Sequence, residues 1–307
     1  MKETFYQKKG LAIEQIAAEL FLLSKNDKLP IISELQEKYE LSRGTVQNAL
    51  SFLKEVKAIE TESRGHLGTY IKEIDYQILQ SYVVKNQLTA TMPLPYSKLY
   101  EGFATGLYLA FKEGDIKLNM VYIRGSEDRI DAVKKGLYDM AVVSRFAAEH
   151  EIKINKTIDI ALKFGPKSYL SEHVLLLASK EHQSITDGMR VGIDRDSLDH
   201  LMLTNEHIKG KEVELVEVPA NQLIYALREN QIDAGIWNYD EIVDKNYEDL
   251  NVQFIPLKEE HKAMNEAVII CRKENLVIES ICKKNIVIRK MLDIQNKIKN
   301  GQMTPRY

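Results

Sequence analysis

The sequence predicts an α/β protein in two parts. An N-terminal winged helix-turn-helix covers residues 1–72, a linker covers 73–87, and a bilobal α/β domain covers 88–307. Three observations carry this reading. Within the first seventy or so residues, three helical patterns lead into a short hairpin pattern around a glycine-containing turn. From residue 88 the pattern changes to alternating strands and helices. That alternation then returns after about fifty residues, which suggests two similar lobes.

The chain has 307 residues, 44% hydrophobic and 28% charged, an ordinary composition for two domains of globular protein. Its net charge of −3 comes from 42 basic and 45 acidic residues, so no global field draws it to nucleic acid or anionic lipid. Any polyanion site must be local. The two cysteines, Cys271 and Cys282, form no CxxC and no Cys/His ladder, which excludes a structural zinc site on ligand count. A disulfide between them is not expected in a reducing compartment. Glu14, Gln15 and Glu19 interrupt the apolar run near the N-terminus, so it does not serve as a signal-peptide core. No stretch approaches the ~20 apolar residues of a membrane span. A cytoplasmic protein with no membrane partner is expected.

The elements follow in order. Leu11, Ile13, Ile16, Ala17, Leu20 and Leu23 recur at threes and fours, a helix that ends before the turn at Lys25, Asn26 and Asp27. Ile31, Ile32, Leu35 and Tyr39 mark a short second helix. Ser42, a favoured N-cap residue, opens a third, with Val46, Ala49, Leu50 and Leu53 on one face. The opposite face carries Gly44, Thr45, Gln47, Asn48 and Ser51, with Arg43 at its start. A helix that enters a major groove needs such a face, with small residues for approach, donors and acceptors for base edges, and an arginine for guanine or phosphate. Residues 59–71 read as a hairpin, with Arg64, Gly65 and His66 at its tip. The 73–87 segment lacks Gly and Pro and reads as a helix running into a strand, not a flexible tether.

In the second part, strands are expected at 88–92, 117–123 and 140–143, with helices at 96–112 and 128–136 between them. This order implies a parallel sheet covered on both faces. Strands at 189–193, 213–218 and 232–236 and helices at 197–203 and 221–229 repeat it. A strand at 267–271 and one long helix from about 276 to 299 close the chain, and the lobes are joined by crossings near 145–185 and 255–266. The spacing of Gly102 and Gly106 signals close helix packing.

Residues 28–71 (KLPIISELQEKYELSRGTVQNALSFLKEVKAIETESRGHLGTYI) resemble the DNA-binding domain of GntR-type regulators. Matches fall at Leu29-Pro30, Leu41-Ser42-Arg43, Thr45-Val46, Ala49-Leu50, Arg64-Gly65 and Gly68-Thr69-Tyr70. Where that family usually has a second threonine and a second arginine in the recognition helix, this chain has Gly44 and Gln47. Its operator is therefore not carried over. Residues 1–75 hold 11 basic against 12 acidic side chains, so affinity is expected to depend on dimerisation. The two-lobed second part resembles the type II periplasmic-binding-protein fold. The strings MPLPYSKLYEGFATG, IRGSEDR, YDMAVVSRFAA and SYLSEHVLL, with ESRGHLGTYI in the wing, resemble the YhfZ-like regulators. That resemblance implies a DNA-binding regulator with an unknown small-molecule effector; no cofactor is expected.

Open α/β sheets bind ligands where loops and helix N-termini converge at the carboxyl ends of strands. The candidates there are Pro93, Pro95 and Tyr96, Ser126, Ser144 and Arg145, then Asp194, Ser197, Trp237 and Asn238. The two prolines fix a loop, Ser126 and Ser197 precede helices, and Arg145 offers a counter-charge. Tyr96 and Trp237 offer an aromatic wall, although a lone tryptophan after a buried strand is more often core. Asp194 offers an amine partner as readily as Arg145 offers one for an acid, so the ligand's charge is open. His200 and His207, seven apart, read as solvated on a helix face and not as metal ligands.

No GxSxG, HExxH, GxGxxG or P-loop occurs, and Ser171, Glu172 and His173 are adjacent on an extended segment and cannot form a triad. The expectation is a one-component transcriptional regulator that binds operator DNA as a homodimer and senses a small molecule between its lobes. The alternative is an enzyme on the same bilobal fold with an accessory winged helix.

Overall fold

The computed structural model describes residues 2–84, 87–256 and 258–307. Residues 85 and 86 of the predicted linker and 257 of the second crossing lie outside them. The chain opens with α1 (Lys2–Phe21), α2 (Ile32–Tyr39) and α3 (Arg43–Glu55). The last is started by Ser42, whose side chain accepts from the Thr45 N–H. Val46, Ala49, Leu50 and Leu53 are all buried, as their spacing predicts. β1 (Ile59–Ser63) and β2 (Thr69–Ile74) form the antiparallel wing, closed by a single 3-10 turn at Gly65–Leu67. Gly65 and Gly68 supply the positive φ that the reversal requires. The backbone at Lys28 bridges to Tyr70 and adds a third strand-like edge to the wing.

The linker region holds α4 (Tyr76–Val83), whose N-cap Asp75 accepts from Gln77 and Ile78. This helix is a clamp. Leu79 is fully buried in one apolar core that runs from Ile16, Leu20 and Phe21 of α1 to residues of the second part. The Phe21 and Tyr76 rings meet edge-on at 5.7 Å, and Phe52 meets Tyr82 at 5.5 Å. Gln80 donates to the Gly114 carbonyl at 2.7 Å and accepts from Asn285 at 2.8 Å.

Lobe 1 contains β3 (Gln87–Met92), α5 (Lys98–Glu113), β4 (Lys117–Tyr122), α6 (Ser126–Lys134), β5 (Met140–Ser144), α7 (Arg145–Asn155) and β6 (Ile158–Lys163). Lobe 2 contains β7 (His173–Leu177), β8 (Arg190–Ile193), α8 (Leu198–Ile208), β9 (Glu214–Glu217), α9 (Leu223–Arg228), β10 (Ala234–Asn238), α10 (Tyr239–Lys245) and β11 (Asn251–Phe254). The chain then returns to lobe 1 as β12 (Ala267–Arg272), α11 (Leu276–Asn285) and α12 (Ile288–Lys299).

The sheets are ordered β4-β3-β5-β12-β6 and β9-β8-β10-β7-β11, the same plan twice. Each is mixed, which corrects the expectation of parallel sheets. Three neighbouring strands pair in parallel in each, whereas β12 and β7 run antiparallel to both their neighbours. These two are the strands by which the chain enters a lobe from a crossing, β12 after a short 3-10 helix at Glu259–Asn265. The first crossing is shorter than expected, because α7 and β6 still belong to lobe 1. The predicted long C-terminal helix is two helices. At Ile286 and Val287 the backbone is extended (φ −100° and −87°), in a run of three β-branched residues that crowd the turn.

Gly102 and Gly106 let α12 approach α5. A Cβ on Gly102 would stand 2.8 Å from the Gln295 Cα and 2.9 Å from its carbonyl oxygen, both backbone atoms. Gly102→Ala should therefore destabilise the chain by about 1–3 kcal/mol through overpacking, read as a lowered urea midpoint. An unchanged midpoint would mean that the two helices part without cost.

Candidate functional site

Two surfaces are placed by this fold. On the first, the outer face of α3 exposes Arg43, Gly44, Gln47, Asn48 and Ser51, so these five candidates share a solvent-facing surface. Ser42 and Thr45 are committed to the helix start, since their hydroxyls also bond each other at 2.8 Å. In the wing, Gly65 and His66 are exposed, and Arg64 pairs with Glu62 and lies 4.4 Å over the Tyr70 ring. The wing arginine is thus held in place by its own hairpin.

The second surface is the cleft between the lobes. It is lined by the carboxyl ends of β3, β4, β8 and β10 and by the helix starts that follow. Of the ten candidates, Pro93, Tyr96, Ser126, Asp194, Ser197, Trp237 and Asn238 line it. Three do not. Pro95 lies outside the lining although Leu94 is within it. Ser144 is fully buried behind it, where its hydroxyl caps Ala147 and donates to Asp199 Oδ1 at 3.0 Å. Arg145 points away and is held by Glu266 at 2.6 Å and Glu149 at 3.0 Å.

The lobes meet directly. Leu198 N donates to Ser126 Oγ at 3.2 Å, and Glu127 N to the Asp196 carbonyl at 3.2 Å, so the starts of α6 and α8 face each other. Arg124 pairs with Asp196 and lies 3.9 Å from Asp194. The Asn238 amide donates to the Tyr96 hydroxyl, and the Tyr96 and Trp237 rings lie 5.1 Å apart. Gly125, with φ +70°, allows this approach, since a Cβ there would stand 2.8 Å from the Asp196 carbonyl oxygen. The remaining cavity is about 50 Å3, room for a few waters.

Several lining residues escape a sequence reading. Arg129, only 3% exposed, donates from Nε to the Val142 carbonyl (3.1 Å), from Nη1 to the Ile123 carbonyl (2.7 Å) and from Nη2 to the Tyr169 hydroxyl (3.0 Å). Tyr100, Tyr169, His173, Asp199 and His200 join it. His200 is buried against Trp237, which corrects the expectation of a solvated ring. His207 bonds the Leu203 carbonyl of its own helix. The Nε2 of His173 and the Nδ1 of His200 are buried without a protein partner. Among the described residues, one potential metal cluster occurs elsewhere, at Glu206, Glu260 and His261, and there Lys258 already pairs with Glu206.

Burial pushes the Asp199 carboxyl up to about 7, against the opposing influence of the Ser144 hydrogen bond and the Arg129 charge. Burial holds the His173 and His200 imidazoles below their usual range, so both are neutral near pH 7. In an open cleft Asp199 would titrate near the ordinary carboxylate value of about 4. The closed form therefore binds its proton more tightly. The resulting stabilisation of closure is complete below about pH 4 and is lost as pH rises through about 7. The histidines act with the opposite sign, favouring closure above about pH 6.5 and opposing it on acidification. In small-angle scattering, Asp199→Asn should be more compact than the parent, and by more at pH 8 than at pH 5. Identical pH profiles would remove Asp199 from the lobe equilibrium.

Comparison with known proteins places the whole chain. Residues 75–307 match the YhfZ C-terminal domain family, and residues 25–71 match a helix-turn-helix domain. The uncharacterized protein YhfZ of Escherichia coli strain K12 is 31% identical over 309 residues, covering all of both chains. The crystal structure of YhfZ from Shigella flexneri matches with a TM-score of 0.61 at 30% identity, over 75% of this chain and 97% of that one. The substrate binding protein of a methionine transporter from Streptococcus pneumoniae matches at 0.53 with 11% identity, over 72% and 96% of the two chains, and shows the fold alone. No described helix is long and apolar enough to cross a membrane. With a helix-turn-helix domain ahead of a bilobal domain of the type II periplasmic-binding-protein fold, the chain belongs to the YhfZ family.

Proposed function

We propose that this chain is a one-component transcriptional regulator that binds operator DNA through a GntR-like winged helix and senses a small molecule in the interlobe cleft. The observation that carries the reading is the union of two surfaces in one body. The exposed face of α3 and the lobe 1 wall of the cleft belong to segments that share one apolar core through α4. Arg43, Gln47 and Asn48 are the side chains placed to reach base edges, with Gly44 allowing approach. Ser42 and Thr45 fix the helix start. The wing, with Arg64, Gly65 and His66, is placed for backbone or minor-groove contact. A single winged helix spans too few base pairs to select one site in a genome, so a homodimer on a two-fold operator is part of the proposal. Such a protein acts in the cytoplasm.

A ligand between the lobes changes DNA affinity only as far as it binds one lobe arrangement better than another. The substrate-binding fold of lobes 1 and 2 supports this use of the cleft. Among the described residues, the cleft brings together no nucleophile with an adjacent base, since the Ser144 hydroxyl is spent on Asp199 and on the start of α7.

The DNA half is tested by operator titration, after site selection from genomic fragments. Arg43→Ala should cost about 1–3 kcal/mol of specific affinity. Parental affinity in that variant would sink the assignment of α3. Sedimentation that shows a monomer with and without operator would sink the dimer. The sensor half is tested by Ser126→Tyr and Ser197→Tyr, each filling the cleft from one lobe. Both should abolish effector response. A response that survives both places the effector elsewhere.

A further inference from the structure

Among the described residues, the cleft is lined by two cations, and they are not equivalent. Arg124 is committed across the lobes to Asp196 and approaches Asp194. Arg129 has no carboxylate within ion-pair distance among the described residues, although it is almost wholly buried. Its three protein acceptors are two carbonyls and a phenol, all neutral. A guanidinium has five N–H donors, so one N–H on each terminal nitrogen remains without a protein acceptor. A full charge buried among neutral acceptors is costly unless something else offsets it.

The surrounding groups narrow what that is. Asp194 is already satisfied, with Oδ1 accepting from Asp196 N at 3.0 Å and Oδ2 from Ala220 N at 2.8 Å. It and Asp199 would repel a dianion, so one guanidinium among these acids suits a single negative charge. Two free N–H groups on one planar fork suit a carboxylate, which accepts two parallel bonds. The unpartnered Nε2 of His173 lines the same cavity and can donate, whereas the Nε2 of His200 faces the Asn238 amide oxygen, which leaves its unpartnered Nδ1 an acceptor. Tyr96 and Trp237 form an apolar wall, and the cavity of about 50 Å3 admits little beyond the acid group and a short chain.

We propose that the interlobe cleft binds a small monocarboxylate, with the carboxylate gripped by Arg129. The proposal rests on the reading of the cleft as a ligand site and goes beyond it by naming the ligand's class and its anchor. Arg129 takes the place that sequence reasoning gave to Arg145.

Trp237 is the chain's only tryptophan and lines the cleft, so its emission reports occupancy. The full-length protein, without DNA, is titrated with acetate and propanoate. Chloride, inorganic phosphate and methylammonium serve as arms at matched ionic strength. A saturable change with the two carboxylates alone is expected. Arg129→Lys keeps the charge but loses the fork and should weaken binding about 10- to 100-fold, with near-ultraviolet circular dichroism checking that it folds. If that variant does not fold, the parent decides the matter alone. A parental emission that ignores both carboxylates overturns the proposal, as does an equal response to chloride, phosphate or methylammonium. Unweakened binding in a folded Arg129→Lys overturns it too. Because no DNA is present, carboxylate binding that leaves operator affinity unchanged would sink the regulator reading and leave this site standing.

Discussion

The apolar core that α4 closes sets the mechanical terms for the rest of the molecule. It runs without a break from Ile16 and Leu20, through Leu79 and Val84, to Leu88, Phe103 and Met291. Burial on this scale at roughly 25 cal/mol per Å2 makes independent motion of the winged helix expensive. Lys284, over the Tyr76 ring at 3.9 Å, adds a polar tie on the same seam. Lobe 2 has separate cores of its own, one around Trp237 and Leu227 and another around Val191 and Leu203. It is joined to lobe 1 covalently by two crossings only. The freedom of the chain therefore lies between lobe 2 and a unit made of the winged helix and lobe 1. Whatever happens in the cleft reaches DNA as a change in where lobe 2 stands.

The cleft is built to make that position conditional. Its closing contacts include hydrogen bonds such as Ser126 with Leu198, Asn238 with Tyr96 and Ser144 with Asp199. Such bonds contribute modestly, because each replaces a bond to water. The close approach at Gly125 supplies shape but little apolar burial. A closure held this way is sensitive to the protonation of Asp199 and to any group that competes for the same donors. The aromatic cluster of Tyr96, Tyr100, Tyr169 and Trp237 spans the two lobes, with the Tyr96 and Trp237 rings in contact across the cleft.

Much of this was legible in the sequence. The spacing of Val46, Ala49, Leu50 and Leu53 placed α3 and its exposed face, and the repeated strand–helix grammar placed the cleft at seven of ten named residues. Legibility failed where burial is decided by distant partners. Arg129 stands among Glu127, Asp128 and Asp131 and looks like any solvated helix charge. Only the carbonyls of Ile123 and Val142 and the Tyr169 hydroxyl draw it inside. Arg145 failed the opposite way. Its partner Glu149 lies at i+4 on a helix that the sequence reading took for part of a crossing, and Glu266 is 121 positions away. The strands β6 and β7 were read as part of one crossing, because nothing local marks where a chain leaves one lobe for the other.

The position of β12 has a consequence for how the molecule comes into being. This strand lies inside the lobe 1 sheet, hydrogen-bonded to β5 on one side and β6 on the other, yet it follows the whole of lobe 2 in the chain. On the ribosome, β6 has no neighbour to join it to β5 until residue 272 has emerged. Lobe 2, whose strands lie between 173 and 254, can finish first. The earliest-made part of the chain thus waits for the latest, since α11 and α12 complete the core that also anchors α1. Release of a chain that stops short of β12 would leave edges of β5 and β6 unpaired and open to other strands. Premature termination between residues 164 and 267 should therefore be felt as aggregation through lobe 1, whose strands were made long before the one they lack.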